Sequence, residues 1–373
     1  MSPTRRVFIT GADDPKNFSG SSYYFGESLR AVLGAERVVA LPIRSYRDLY
    51  LPTLVFGARM GVDPRKYFFM AREFQEANFL AANDRPNQGD VLVSFPPITP
   101  RRDKYLRAFS HVSLLIDMTL TQYFEYSQFK DAPDRVKSRI IGQETRSYQE
   151  CDSIFVFNDW VADQLVERYR VDAGKIHVIG RGLNMPRRLA EERRPSRAPI
   201  PGSPLRVGFV GADAERKGLF DLIEAIDGDP LLSERVHVHA IGPDAATLPA
   251  RPFLTAHGYI DKAGEIDRIV AIMSDCALGY LFSRAEGIPG SVLEFLSLGV
   301  PCLVSDIPAM DSVRALPGVA EIPLAGGAAA VRAALRGLVS EPERLAALRA
   351  DAAAVDLDGW IPQAQAVANR ICA

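Results

Sequence analysis

The chain has 373 residues, with 44 Lys and Arg against 46 Asp and Glu and a formal charge of −2. That length suits two domains of ordinary size, and the near-neutral charge gives no sign of a nucleic-acid partner. No run of eighteen apolar residues argues for a membrane-spanning helix, and the opening MSPTRRVFIT lacks the apolar core of a signal peptide.

Residues 6–10 read as a short apolar strand, followed by a turn at 11–15. VFITGAD has no G-x-G-x-x-G continuation, so NAD binding is rejected there. Ser19, Gly20, Ser21 and Ser22 form an expected loop ahead of a helix at 23–33. Small residues let a ligand approach a helix start, although a plain strand-to-helix turn would use them too. A second strand is expected at 37–40. Residues 46–82 are aromatic and mixed in charge, and read as one or two helices. Their surface suits peripheral contact with a membrane or a lipid-linked partner, while core packing is the commoner use of such residues.

Strands are expected at 90–95 and 111–117. The second ends in Asp117, and ligands of open α/β sheets sit beyond the carboxyl ends of strands. A carboxylate there can orient a hydroxyl, or simply cap the next helix. A helix at 143–152, a strand at 153–157, a helix at 160–169 and a strand at 175–179 follow. Residues 186–204, PRRLAEERRPSRAPIPGSP, are rich in Pro and Arg without an apolar period and read as a linker.

The second half begins with a strand at 205–210, then Gly211, then a helix from about Gly218. Lys217 stands beside that helix start, where a cation can meet a diphosphate held by backbone amides. Its bland reading is a solvated surface lysine. G-x-x-x-x-G-K-[ST] is absent, so this is not a P-loop. Strands at 236–242 and 255–260, a helix at 266–273 and a strand at 276–280 come next. His237 and His239 share a face of the first of these strands and read as structural, since no third ligand is in view. Tyr259 would lie near a ligand or in the core. Alternating strand and Ala-rich helix continue to 351, and an amphipathic helix closes the chain at 360–371. The βα alternation predicts an α/β fold with parallel sheets. Cys151, Cys276, Cys302 and Cys372 are scattered without C-x-x-C spacing, as in a reduced cytoplasmic protein.

The densest signal is residues 283–306, SRAEGIPGSVLEFLSLGVPCLVSD. Glu286 and Glu294 lie eight positions apart. Gly287, Ile288, Pro289 and Gly290 between them resist helix, so a helix is expected from about Ser291, ending at Gly299 before Pro301. Free amides at a helix start favour an anion, and a nearby carboxylate can accept hydrogen bonds from sugar hydroxyls. Ser291-x-x-Glu294 is equally a capping box. That reading explains Glu294 and leaves Glu286 unexplained.

EGIPGSVLEFLSLGVPCLVSD resembles the E-x7-E signature of retaining glycosyltransferases of family 4. The resemblance covers most of the chain and is strongest over 142–311. It implies a GT-B fold, with two Rossmann-like domains facing a central cleft. The expected division is 1–185, a linker at 186–204, 205–355, and a helix at 356–373 crossing back to the first domain. It implies transfer of a sugar from a UDP- or GDP-type nucleotide sugar to a glycan, lipid-linked or protein hydroxyl, with no cofactor and no metal, in the biosynthesis of cell-surface polysaccharide. By the same resemblance Glu294 binds the donor ribose, Glu286 sits by the transferred sugar, and Lys217 holds the diphosphate. Gly211, Tyr259 and the 287–291 amides complete the donor side. Asp117 and the loop from Ser19 to Ser22 face the acceptor. The family often has Arg directly after the glycine at 211, where this chain has Ala212, and Arg216 is the candidate substitute. A GT-B epimerase and a non-catalytic nucleotide-sugar-binding protein are the alternatives.

Overall fold

The computed structural model describes residues 5–45, 47–126, 129–193, 203–357 and 359–372. It separates into two units, residues 1–182 with 360–373, and residues 183–359.

In the first unit, β1 (Val7–Thr10), β2 (Val38–Leu41), β3 (Asp90–Ser94), β4 (Phe109–Ile116), β5 (Ser153–Val156) and β6 (Ile176–Val178) form one sheet in the order 2-1-3-4-5-6. Every pair is parallel. β3 and β5 are buried along their whole length, as expected of parallel strands covered on both faces. The closing helix Ile361–Ile371 belongs to this unit and packs on the helix Ser21–Leu33. Trp360 fixes it, with its ring edge-on to Phe25 and Phe157 at centroid distances of 5.9 and 5.5 Å.

In the second unit, β7 (Leu205–Val210), β8 (Val236–Ile241), β9 (Leu254–Gly258), β10 (Leu278–Leu281), β11 (Cys302–Ser305) and β12 (Val319–Ile322) form a second parallel sheet in the order 12-11-10-7-8-9. Numbered from β7, this is the 3-2-1-4-5-6 order of the doubly wound dinucleotide-binding fold. Strand order reverses between β7 and β10. The carboxyl ends of the strands at such a reversal are the ordinary ligand position of these sheets. The core beneath it joins Phe209, Val238 and Tyr280 of the strands to Leu222, Ile223 and Ile226 of the helix Leu219–Asp227.

Two expectations need correcting. The stretch read as a linker opens with a helix, Arg187–Arg193, which packs on Ile266–Ser274. Leu189, the one buried side chain among those described in it, is too little to show as an apolar period. The rest of that stretch, 194–202, lies outside the described residues. In addition, the first unit's helix starts at Ser21 rather than 23, so Ser21 and Ser22 are helical and not loop.

Candidate donor site

Gly211 follows β7 and Glu286 follows β10, so the chain brings them to the same switch point. Gly211 leaves room for Lys217. A Cβ at that position would stand 2.2 Å from Cδ of Lys217, whose stem crosses the glycine. The loops after β7 and β10 are stitched together. The amide of Arg284 donates to the Arg216 carbonyl at 2.9 Å, and Ser283 Oγ donates to the same carbonyl at 3.2 Å.

Two cations converge on one motif carboxylate. Lys217 Nζ donates to Glu286 Oε1 at 2.8 Å, and Arg216 Nη1 donates to the same oxygen at 3.0 Å. Arg216 Nη1 also reaches the Ala285 carbonyl. Burial alone would raise the Glu286 carboxyl, but the Lys217 and Arg216 charges outweigh it and hold it below its ordinary value. Arg216 therefore stands beside Lys217 on the same carboxylate oxygen.

The second carboxylate has its own lysine. Glu294 Oε1 accepts from Lys262 Nζ at 2.5 Å, and both side chains are largely buried. This overturns the capping-box reading. The helix runs Gly290–Ser297 with Pro289 as N-cap and no side-chain cap. Ser291 is already inside it, and the Glu294 carboxylate turns to Lys262. The expected C-terminus holds. Gly299, at φ +70°, donates to Leu296 O, and Val300 donates to Phe295 O. This is the paired arrangement of a Schellman stop. Near the helix start, the Gly290 amide is taken by Ile288 O at 2.8 Å, while that of Ser291 donates to none of the described residues. Gly287, Ile288 and Pro289 are buried in the loop. Tyr259, just past β9, is 70% exposed and so is not a core residue.

Lys262 escapes a sequence reading because a lone loop lysine has no period or motif. The only hint is its position, four residues past β9.

In the first unit, Asp117 follows β4 in an exposed position. The turn behind it is anchored by a buried carboxylate. Glu144 accepts from the Leu120 amide at 2.7 Å, from Tyr148 Oη at 2.6 Å, and from Tyr169 Oη. Tyr169 Oη also meets Thr121 Oγ1 at 2.5 Å. Burial is the largest influence on Glu144 and pushes it up to about 7 despite these donors. A raised carboxyl contributes stability below its ordinary value near 4.5, and that contribution is lost as pH rises through about 7. Glu144→Gln keeps an acceptor without a titrating proton. The variant is therefore expected to gain stability relative to wild type between pH 5 and 7.5, and then to level off. Denaturant melts at half-unit pH steps check this; a constant difference across that range would contradict it.

The loop from Ser19 to Ser22 is more ordered than expected. Asn17–Gly20 is a short 3-10 turn in which Phe18 and Ser19 have φ of 48° and 55° and Gly20 has 92°. Ser22 is fully buried and donates to Gly11 O at 2.8 Å, so its hydroxyl serves the fold. Ser21 Oγ accepts from Arg181 Nη2 at 2.9 Å.

His237 and His239 do share a face. His237 Nε2 meets Thr255 Oγ1 at 2.8 Å, and His239 Nδ1 meets His257 Nε2 at 3.2 Å. Among the described residues, no group of three or more His, Cys, Asp or Glu is arranged to hold a metal. None of their helices is long and apolar enough to cross a membrane.

Residues 204–341 match a family described as Glycosyl transferases group 1. No curated protein matches the chain. Several solved structures share its fold. Sucrose-phosphate synthase of Thermosynechococcus elongatus is 14% identical with a TM-score of 0.67, over 98% of each chain. HepE of Anabaena, solved with UDP and glucose, is 12% identical with a TM-score of 0.63, over 99% of this chain and 100% of that one. WaaG, a glycosyltransferase involved in lipopolysaccharide biosynthesis, is 13% identical with a TM-score of 0.62, over 97% and 99%. The chain thus has the GT-B fold of glycosyltransferases, and its second unit is similar in sequence to glycosyl transferases group 1.

Proposed function

We propose that the protein is a retaining glycosyltransferase that moves a sugar from a nucleotide-diphosphate sugar to a hydroxyl acceptor without a metal ion. The observation that carries this is the convergence of Lys217 and Arg216 on Glu286 at the switch point of the second sheet. A diphosphate needs several positive charges, and a transferred sugar needs a carboxylate beside it. Here both kinds of group already touch.

In this reading Lys217 and Arg216 take the diphosphate and neutralise the charge that grows on it as the sugar–phosphate bond breaks. The Ser291 amide and the dipole of the Gly290–Ser297 helix add to that stabilisation. Glu286, released from the two cations, faces the developing positive charge at the anomeric carbon. Glu294 accepts from the ribose. Tyr259 offers an exposed ring to the base. On the first unit, Asp117 and the turn at Ser19 and Gly20 meet the acceptor, and Ser22 is withdrawn from that role by its bond to Gly11. HepE of Anabaena, a protein of the same fold, was solved with UDP, which favours a uridine donor.

The helix Tyr50–Met60 turns Tyr50, Leu51, Leu54 and Val55 to solvent. Leu51, Pro52, Val55, Phe56 and Met60 line a cavity of about 320 Å³ with Arg59, Arg139 and Glu73, the last two paired with each other. Exposed apolar side chains beside Arg59 support a lipid-linked acceptor presented at an anionic membrane surface.

The test is turnover followed by NMR. Sugar nucleotides would be incubated with free glycans, glycosylated proteins and lipid-linked glycans in anionic vesicles, with a chelator present. Expected is release of a nucleoside diphosphate with the anomeric configuration kept in the product, fastest on the vesicle acceptors. An inverted product would sink the retaining assignment, and a requirement for divalent metal would sink the metal-free one.

A further inference from the structure

Lys262 is the one largely buried cation of the site that the reading above leaves without a task. Its place is built. Asp261 Oδ1 accepts from the Ala263 amide at 3.0 Å, and Asp261 O accepts from the Glu265 amide at 2.7 Å. This turn leads into the helix Ile266–Ser274 and aims Lys262 at Glu294.

Only one oxygen of the pair is used. Lys262 Nζ donates to Glu294 Oε1, while Oε2 accepts no hydrogen bond from the described residues. An ammonium has three N–H groups and no acceptor, and a carboxylate has acceptors only. Side by side they offer one free acceptor and spare donors a few ångströms apart. A single hydroxyl satisfies one of these. Two hydroxyls on adjacent carbons satisfy both, one donating to Oε2 and its neighbour accepting from Nζ.

We infer that Lys262 and Glu294 together read a vicinal diol, and that Lys262 is the residue by which this protein selects ribonucleotide over deoxyribonucleotide donors. The inference rests on the donor site proposed above. A site that pairs both hydroxyls penalises a ligand lacking one, because a buried polar group is then left unmatched. A lysine that merely held Glu294 in place would act through the hydroxyl that Glu294 binds, so its removal would erase the same deoxy penalty that Glu294→Ala erases.

The test uses the full-length protein and calorimetric titration with UDP, GDP and ADP, then with the 2′-deoxy and 3′-deoxy forms of whichever binds. Wild type should bind each deoxy form at least tenfold more weakly. Lys262→Met should bind the ribonucleotide at least tenfold more weakly than wild type does. It should also lose one of the two deoxy penalties, and Glu294→Ala should lose the other; loss of the same penalty by both variants would make Lys262 a support for Glu294 only and overturn the inference. Lys262→Arg should restore in part the penalty lost in Lys262→Met, and Lys262→Gln, which keeps a donor, covers the case in which the Met variant does not fold. If Lys262→Met weakens the ribo and both deoxy forms by one common factor, or by none, the inference is overturned and the donor site stands. If no nucleoside diphosphate binds wild type, the donor site and the inference fall together.

Discussion

Lys217→Ala is expected to weaken nucleoside-diphosphate binding by about 10- to 100-fold, since a hydrogen bond to a charged group contributes about 1.5–3 kcal/mol. Transfer should fall further, by about 100- to 1,000-fold, because the ammonium acts most strongly on charge that appears as the bond breaks. The fold should survive. Glu286 keeps Arg216 at 3.0 Å, so its buried carboxylate is not left without a cation. Titration calorimetry and a nucleotide-release assay on the same preparation separate the two effects. Unchanged affinity together with an unchanged rate would remove Lys217 from the site.

The second large effect concerns Gly218, the residue that follows. Its φ of +77° is left-handed, and a Cβ there would stand 2.3 Å from the Phe282 carbonyl oxygen. Gly218→Ala therefore adds a conformational penalty of about 1–2 kcal/mol and a packing penalty of about 1–3 kcal/mol. The neighbour cannot easily give way, because it is backbone of the strand end that leads into the motif. The Gly218 carbonyl also accepts from Tyr280 Oη at 3.0 Å, so a shift would disturb the core below. A loss of about 2–5 kcal/mol in urea unfolding is expected. Gly264→Ala, where the added Cβ would meet nothing within 4 Å, is the control and should be near neutral. Equal stability of the two variants would contradict the account.

Much of this site can be read from the residues, and the reasons differ by position. Glu286 to Pro301 combines a loop that cannot be helical, a helix and a Gly stop, each enforced by local backbone chemistry. The structure follows it to within a residue at the start, with Gly290 in place of Ser291. The strand at 205–210 is read correctly at both ends because its apolar run, broken only by the exposed Arg206, is bounded by Pro204 and Gly211. What escaped is what depends on tertiary approach. Ser291-x-x-Glu294 fits a capping box in one dimension, yet the chain enters the helix through Pro289 and Lys262 claims the carboxylate. Ser22 looks like a loop hydroxyl until Gly11 comes beside it. Arg216 could be named only as a guess, since nothing in one dimension says that residue 216 and residue 286 share an oxygen. The seven-residue helix at Arg187–Arg193 is too short for its single buried leucine to form a pattern.

The central claim is that the second unit holds a nucleotide-diphosphate sugar between the Lys217–Arg216 pair and the two glutamates. A thermal-shift panel of UDP-, GDP-, ADP- and dTDP-sugars, with chelator, tests it most directly. At about a hundred times its dissociation constant a ligand adds roughly 2.7 kcal/mol of stability. One nucleotide class should raise the melting temperature of wild type and act weakly on Lys217→Ala. If no sugar nucleotide shifts wild type at millimolar concentration, with chelator or with Mg²⁺, the claim is contradicted.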